Sequence, residues 1–177
     1  MNSKLISLSA IAAGLTAIAL IVGAYIEIAD LFALVISSVF VMMPLFYRSY
    51  KGSLLCFLAG GVIAFLCSGF NILSLVFPSY FAFFGIFPIV KCYFDDKRWN
   101  KTLCFIIGLI WFLLTAYGMY FYYTLVMGGI LDGLPSWLVD YTLYLIAPAA
   151  LIVFVIYNRF IIVMRIFIGR YLQRVIK

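Results

Sequence analysis

Apolar residues run along this chain almost without interruption, and the polar breaks between runs are short: Glu27 to Asp30, Arg48 to Gly52, Ser68 to Asn71, Lys91 to Lys101 and Gly128 to Asp140. A helix rising ~1.5 Å per residue needs about 20 apolar residues to cross a hydrocarbon layer of ~30 Å. The runs meet or approach that length, which places six spans at about 5–26, 32–47, 53–70, 72–90, 102–125 and 141–163. Breaks as short as Arg48-Ser49-Tyr50-Lys51-Gly52 and Gly69-Phe70-Asn71 predict tight antiparallel hairpins in which each helix lies beside the next. The expected fold class is an all-α membrane protein, a six-transmembrane-helix bundle forming one domain over 1–177. The apolar run after Lys4 lacks a small-residue cleavage site before Tyr25 and reads as a retained first span. Beyond about 164, Arg170, Arg174 and Lys177 recur at i, i+4 and i+7 among Tyr171, Leu172, Val175 and Ile176, the pattern of a basic amphipathic tail lying on an anionic leaflet.

Composition agrees with the pattern, because 68% hydrophobic residues and only 10% charged ones exceed what a soluble core of 177 residues hides. Charge then gives the spans a direction. With six spans, all 12 Lys and Arg residues fall on one side, while Glu27, Asp30, Asp132 and Asp140 fall on the other. Lys and Arg in short loops are retained in the cytoplasm, so both termini are expected there, in a multi-pass cell-membrane protein. Residues 91–101 become the central cytoplasmic loop. Asp95 and Asp96 are not needed for orientation, and with Arg98, Tyr93 and Trp99 they form a mixed-sign patch suited to a protein partner.

Several chemistries lack their residues. The chain has no histidine, which removes the commonest general base and metal ligand. Cys56, Cys67, Cys92 and Cys104 have no CxxC spacing and read as reduced packing residues. Gly60-Gly61 and Gly128-Gly129 lack the lysine ending of a phosphate-binding loop. No Asp, Glu, Lys or Arg stands in the middle of a span, where ion-coupled transporters keep one, and no polar stripe marks a pore. The expectation is a protein that is not an enzyme, holds no cofactor or metal, binds no nucleic acid and works with membrane lipid and with partners.

Two surfaces are candidates for that work. On the first span, Ala10/Gly14 and Ala13/Ala17 are small residues four apart, which flatten a helix face for close approach by another helix, inside the chain or in a partner. On the acidic side, Glu27, Asp30 and Asn71 lie near the ends of the early spans, Tyr117 and Tyr120 near the end of the fifth, and Asp132, Trp137 and Asp140 in the connection that follows. Aromatic faces with a few acids fit a small amphipathic or cationic ligand, or equally an aromatic belt at the lipid surface. Pro78, Pro88 and Pro148 fall inside spans, where they free backbone carbonyls and permit kinks that shape a pocket.

A small six-helix layout with the Ser9–Ala17 small-residue surface and no nucleotide site resembles the substrate-binding S components of energy-coupling factor (ECF) transporters. The segment Tyr80-Phe-Ala-Phe-Phe-Gly-Ile-Phe-Pro-Ile-Val-Lys91 is similar to one found in small six-helix Firmicute membrane proteins loosely associated with that group. The resemblance implies capture of a vitamin or other small molecule from outside, with energy supplied by a transmembrane coupling protein and ATPase subunits. It implies that Ala10, Ala13, Gly14 and Ala17 face the coupling protein and that the Glu27–Asp30 and Asp132–Asp140 regions lie at the ligand mouth. It implies no nickel or cobalt substrate, since those sites need an N-terminal histidine. The competing expectation is a non-transport adaptor, regulatory or immunity protein that binds another protein through the 91–101 loop and its helix faces.

Overall fold

The computed structural model describes residues 3–70, 74–127 and 136–175. Helices α1 (Ser3–Tyr25), α2 (Asp30–Met42, continued by a 3-10 turn to Tyr47) and α3 (Tyr50–Cys67) precede a broken helix: α4 (Val76–Ser79), a π turn over Tyr80–Phe84, and α5 (Phe87–Asp96). Two long helices, α6 (Lys101–Met127) and α7 (Ser136–Val175), complete the chain. Six of the resulting segments are long and apolar enough to cross a membrane.

The hairpin expectation is corrected in one respect: α1 wedges between α2 and α3, which meet each other chiefly at their connecting end. The cause is the small-residue surface of α1. Ala13 and Ala17 are buried, and a Cβ added at Gly60 of α3 would stand 3.1 Å from the Ala13 carbonyl and 2.9 Å from Thr16, so the backbones of α1 and α3 approach closely. Ser53 on α3 donates to the Val41 carbonyl of α2, whose counterpart three residues on, Pro44, has no N–H to offer.

The fourth span is built around Pro88. A proline cannot donate to the carbonyl four residues before it, here that of Phe84. Ser38 of α2 donates to that carbonyl at 2.7 Å, and Tyr157 of α7 donates to Ser38 Oγ at 2.9 Å, so one freed acceptor ties three helices together. The π turn beside it buries Tyr80 and Phe83 completely, and Tyr80 donates to the Phe57 carbonyl of α3 at 3.1 Å. Gly85 and Gly61 let α3 and this turn close on each other, since a Cβ at Gly85 would lie 2.3 Å from the Phe57 ring.

Two other boundaries differ from expectation. Helix α5 continues to Asp96, so the expected loop 91–101 shrinks to 97–100; no helix breaker follows Pro88, and Asp95 and Asp96 find a partner on α7. Helix α7 runs unbroken for 40 residues, about 60 Å, so the expected tail from 164 is no separate element. As far as Gly169 it continues the sixth apolar span.

Candidate functional site

The salt bridges among the described residues lie at the basic end of the bundle. Arg165 of α7 reaches Asp95 at 2.7 Å and Asp96 at 2.8 Å, and Tyr50, at the start of α3, donates to Asp96. One turn earlier on α5, Lys91 donates to the backbone carbonyl of Asn158 at 3.2 Å and to its side-chain Oδ1. Lys91 and Asp95 are spaced i, i+4, so one face of α5 carries both attachments to α7.

The end of α5 is set by local hydrogen bonds. Trp99 N–H bonds the Phe94 carbonyl and Arg98 N–H the Asp95 carbonyl, both at 3.1 Å, the paired pattern that closes a helix through a residue in the left-handed conformation. That residue is Arg98, at φ 55°. The Phe94 and Trp99 rings stack across the turn at 4.7 Å. Asn100 then caps α6, its Oδ1 accepting from Thr102 N–H at 3.0 Å.

Two cavities flank this region. One of about 460 Å³ lies between α5, α6 and α7, walled by Phe87, Phe105, Gly108 and Trp111, with Lys91, Arg98 and Lys101 toward its mouth. The other, about 510 Å³, lies between α5, α7 and the 3-10 turn after α2, against Phe46, Cys92, Ile161, Arg165 and Gly169. They share Lys91, Asp95 and Ile162. Among the described residues no three His, Cys, Asp or Glu side chains converge as a metal site.

The expected sites are distributed differently. Ala13, against α3, and Ala17 are buried inside the chain, whereas Ala10 and Gly14 face outward, with nothing within 4 Å of a Cβ at Gly14. Asp95 and Asp96 turn to Arg165 of the same chain, and Arg98 is exposed. At the opposite end, Asp30 is half-buried at the start of α2 and lines a cavity of about 250 Å³ with Leu34, Phe84, Phe112 and Thr115. Tyr117 and Tyr120 are half-buried on α6, outside that lining. Asn71 and Asp132 lie outside the described residues, as do the side chains of Glu27, Trp137 and Asp140.

Sequence reading passed over Tyr50, Lys91, Asn158 and Arg165 as site residues. The Lys91/Asp95 spacing was a usable signal; the far partners on α3 and α7 had none. No protein-family model, no curated protein and no solved structure matches this chain.

Proposed function

We propose that this is a non-catalytic membrane subunit that works by binding, with its basic end in the cytoplasm and its ligand taken into the groove between α5, α6 and α7. The observation that carries the reading is the groove itself: about 460 Å³, apolar and aromatic along its walls, with three cations toward one end. Its outer wall, α6, is the least buried of the six spans, so ligand entry through the bilayer disturbs little packing. Orientation rests on the one-sided distribution of Lys and Arg. Gentle extraction followed by mass spectrometry of retained small molecules tests the reading. A single bound amphiphile, lost when Cys104→Trp places an indole in the groove, is the expected result; an empty protein would end it.

A second reading, the substrate-capturing subunit of an ECF-type importer, is favoured by the outward-facing Ala10 and Gly14, where a coupling protein could approach α1 closely. It predicts co-purification of coupling and ATPase subunits, abolished by Gly14→Leu without loss of the fold. Retention of ligand with no such subunits would leave the first reading alone.

A further inference from the structure

We infer that the α5/α6/α7 groove binds an anionic phospholipid of the leaflet that the basic end faces, a conclusion that rests on the binding-subunit reading above. The headgroup meets Arg98, Lys101 and Lys91, and an acyl chain runs past Phe105 toward Trp111.

Charge complementarity is the first support. The groove is lined by three cations and one acid, and the acid, Asp95, is already matched by Arg165 at 2.7 Å. Among the described residues the salt bridges are those of Arg165, so neither Arg98 nor Lys101 has an ion pair there. Lys91 spends two of its three N–H donors on Asn158 and keeps one.

The second support is the backbone at Arg98. The end of α3 uses the same hydrogen-bond pattern with Gly69 in the left-handed position, the residue that adopts it at least cost. At the end of α5 an arginine holds that conformation instead, at φ 55°, and the strained turn places its exposed side chain at the groove mouth beside Trp99. Arg48 holds the same conformation at the end of the turn that follows α2, so the support lies in where this turn puts the Arg98 side chain, at the groove, rather than in the strain itself.

Dimensions separate a lipid from a free anion. From Lys101 to Trp111 is ten residues of α6, about 15 Å, which is about half of a 30 Å hydrocarbon layer. The groove therefore has the depth of one leaflet, with cations where headgroups lie and Trp99 at the interface where indoles settle. A soluble phosphate matches the mouth and leaves the apolar length unused.

The test uses the full chain in mild detergent, native mass spectrometry, and phosphatidylglycerol or phosphatidylcholine of identical chains as probes. One phosphatidylglycerol should remain bound under conditions that strip phosphatidylcholine. Arg98→Gly and Lys101→Gln should each weaken phosphatidylglycerol retention roughly fivefold and leave phosphatidylcholine unchanged. Measured without added lipid, Arg98→Gly should also raise the thermal midpoint, which separates a lost ligand contact from a damaged fold. Equal retention of both lipids, both lost in Cys104→Trp, would overturn the anionic preference while the binding-subunit reading survived. Retention of neither lipid would remove both. Full displacement of phosphatidylglycerol by millimolar inorganic phosphate would reduce the site to a headgroup pocket and overturn the lipid assignment. Wild-type binding by Arg98→Gly would also overturn it.

Discussion

The fourth span and the fifth invert what a soluble protein teaches. The fourth, Val76–Asp96, is the least apolar of the six by composition, yet 56% of its 18-residue apolar stretch is buried; the corresponding stretch of the fifth, α6, is more apolar and only 11% buried. In lipid, apolarity gives no reason for helices to associate, because acyl chains are as apolar as leucine. Burial instead follows small residues that let backbones approach and polar groups that need partners. The fourth span has both, in Gly85 and in the carbonyl freed by Pro88. Helix α6 has a close approach at Gly108 against Phe87 and Phe154, buries Phe112 beside Phe83, and offers most of the rest of its surface to the surroundings. The molecule thus divides into a packed part, α1 to α5, and two long helices attached to it at few points.

The division is tested most severely by matched glycine substitutions. Gly85→Leu drives a side chain into Phe57, which is itself fixed against Tyr80 and Phe81, and should cost about 3 kcal/mol or prevent folding. Gly118→Leu on α6 meets nothing within 4 Å and gains helix propensity, so its stability should equal or exceed that of the parent by up to about 1 kcal/mol. Denaturant unfolding in detergent reads both. Equal losses would mean that α6 is packed as tightly as the rest.

Next in size is the junction through which α7 joins the packed part. Tyr157→Phe and Ser38→Ala each remove a donor from the chain that ends on the Phe84 carbonyl, at about 1–2 kcal/mol each. The double variant should cost less than the sum, since the two hydroxyls serve one acceptor. Strict additivity in a double-mutant cycle would show that they act separately.

This junction also marks how far the sequence could be read. The six spans were legible because about 20 apolar residues between charged breaks have one cheap solution in a bilayer. Pro88 announced that a carbonyl four residues earlier would need a donor. Nothing in one chain said that the donors stand at positions 38 and 157, because any of several Ser, Thr or Tyr hydroxyls could have been brought there. The face around Ala13 and Gly14 was visible as small residues. That Ala13 and Thr16 meet Gly60 while Gly14 looks outward depends on the rotation of α1, which the pattern does not encode. The candidate ligand mouth was placed by acids at the ends of spans; the larger cavities formed at the opposite end, on the two sides of the seam where Lys91 and Arg165 join α5 to α7.

The second attachment of α7 is ionic and smaller. Arg165→Ala releases Asp95 and Asp96, but the partners are about one-third exposed or more, so solvent discounts the pair to about 1 kcal/mol at most. The loss should shrink further in high salt, which the Tyr157 loss should not. A salt-independent effect above ~2 kcal/mol would make this clamp, rather than the Phe84 junction, the principal tie.

The smallest effects lie in the turn where the packed part gives way to α6. Arg98 and Arg48 both close their helices in the left-handed region, at φ 55°, and glycine at either position relieves about 1 kcal/mol of backbone strain. The two gains should nevertheless differ. Arg48 shares a small cavity with Asp96, so Arg48→Gly gives up some attraction along with the strain. Arg98 shares its groove with Asp95, but Arg165 already holds that acid at 2.7 Å and no salt bridge to Arg98 occurs among the described residues, so Arg98→Gly should show the larger rise in stability when measured without lipid. If Arg98→Gly proved the less stable of the two, Arg98 would be holding α5 and α6 together by itself, and the line between the packed part and the two attached helices would have to be drawn after α6 rather than before it.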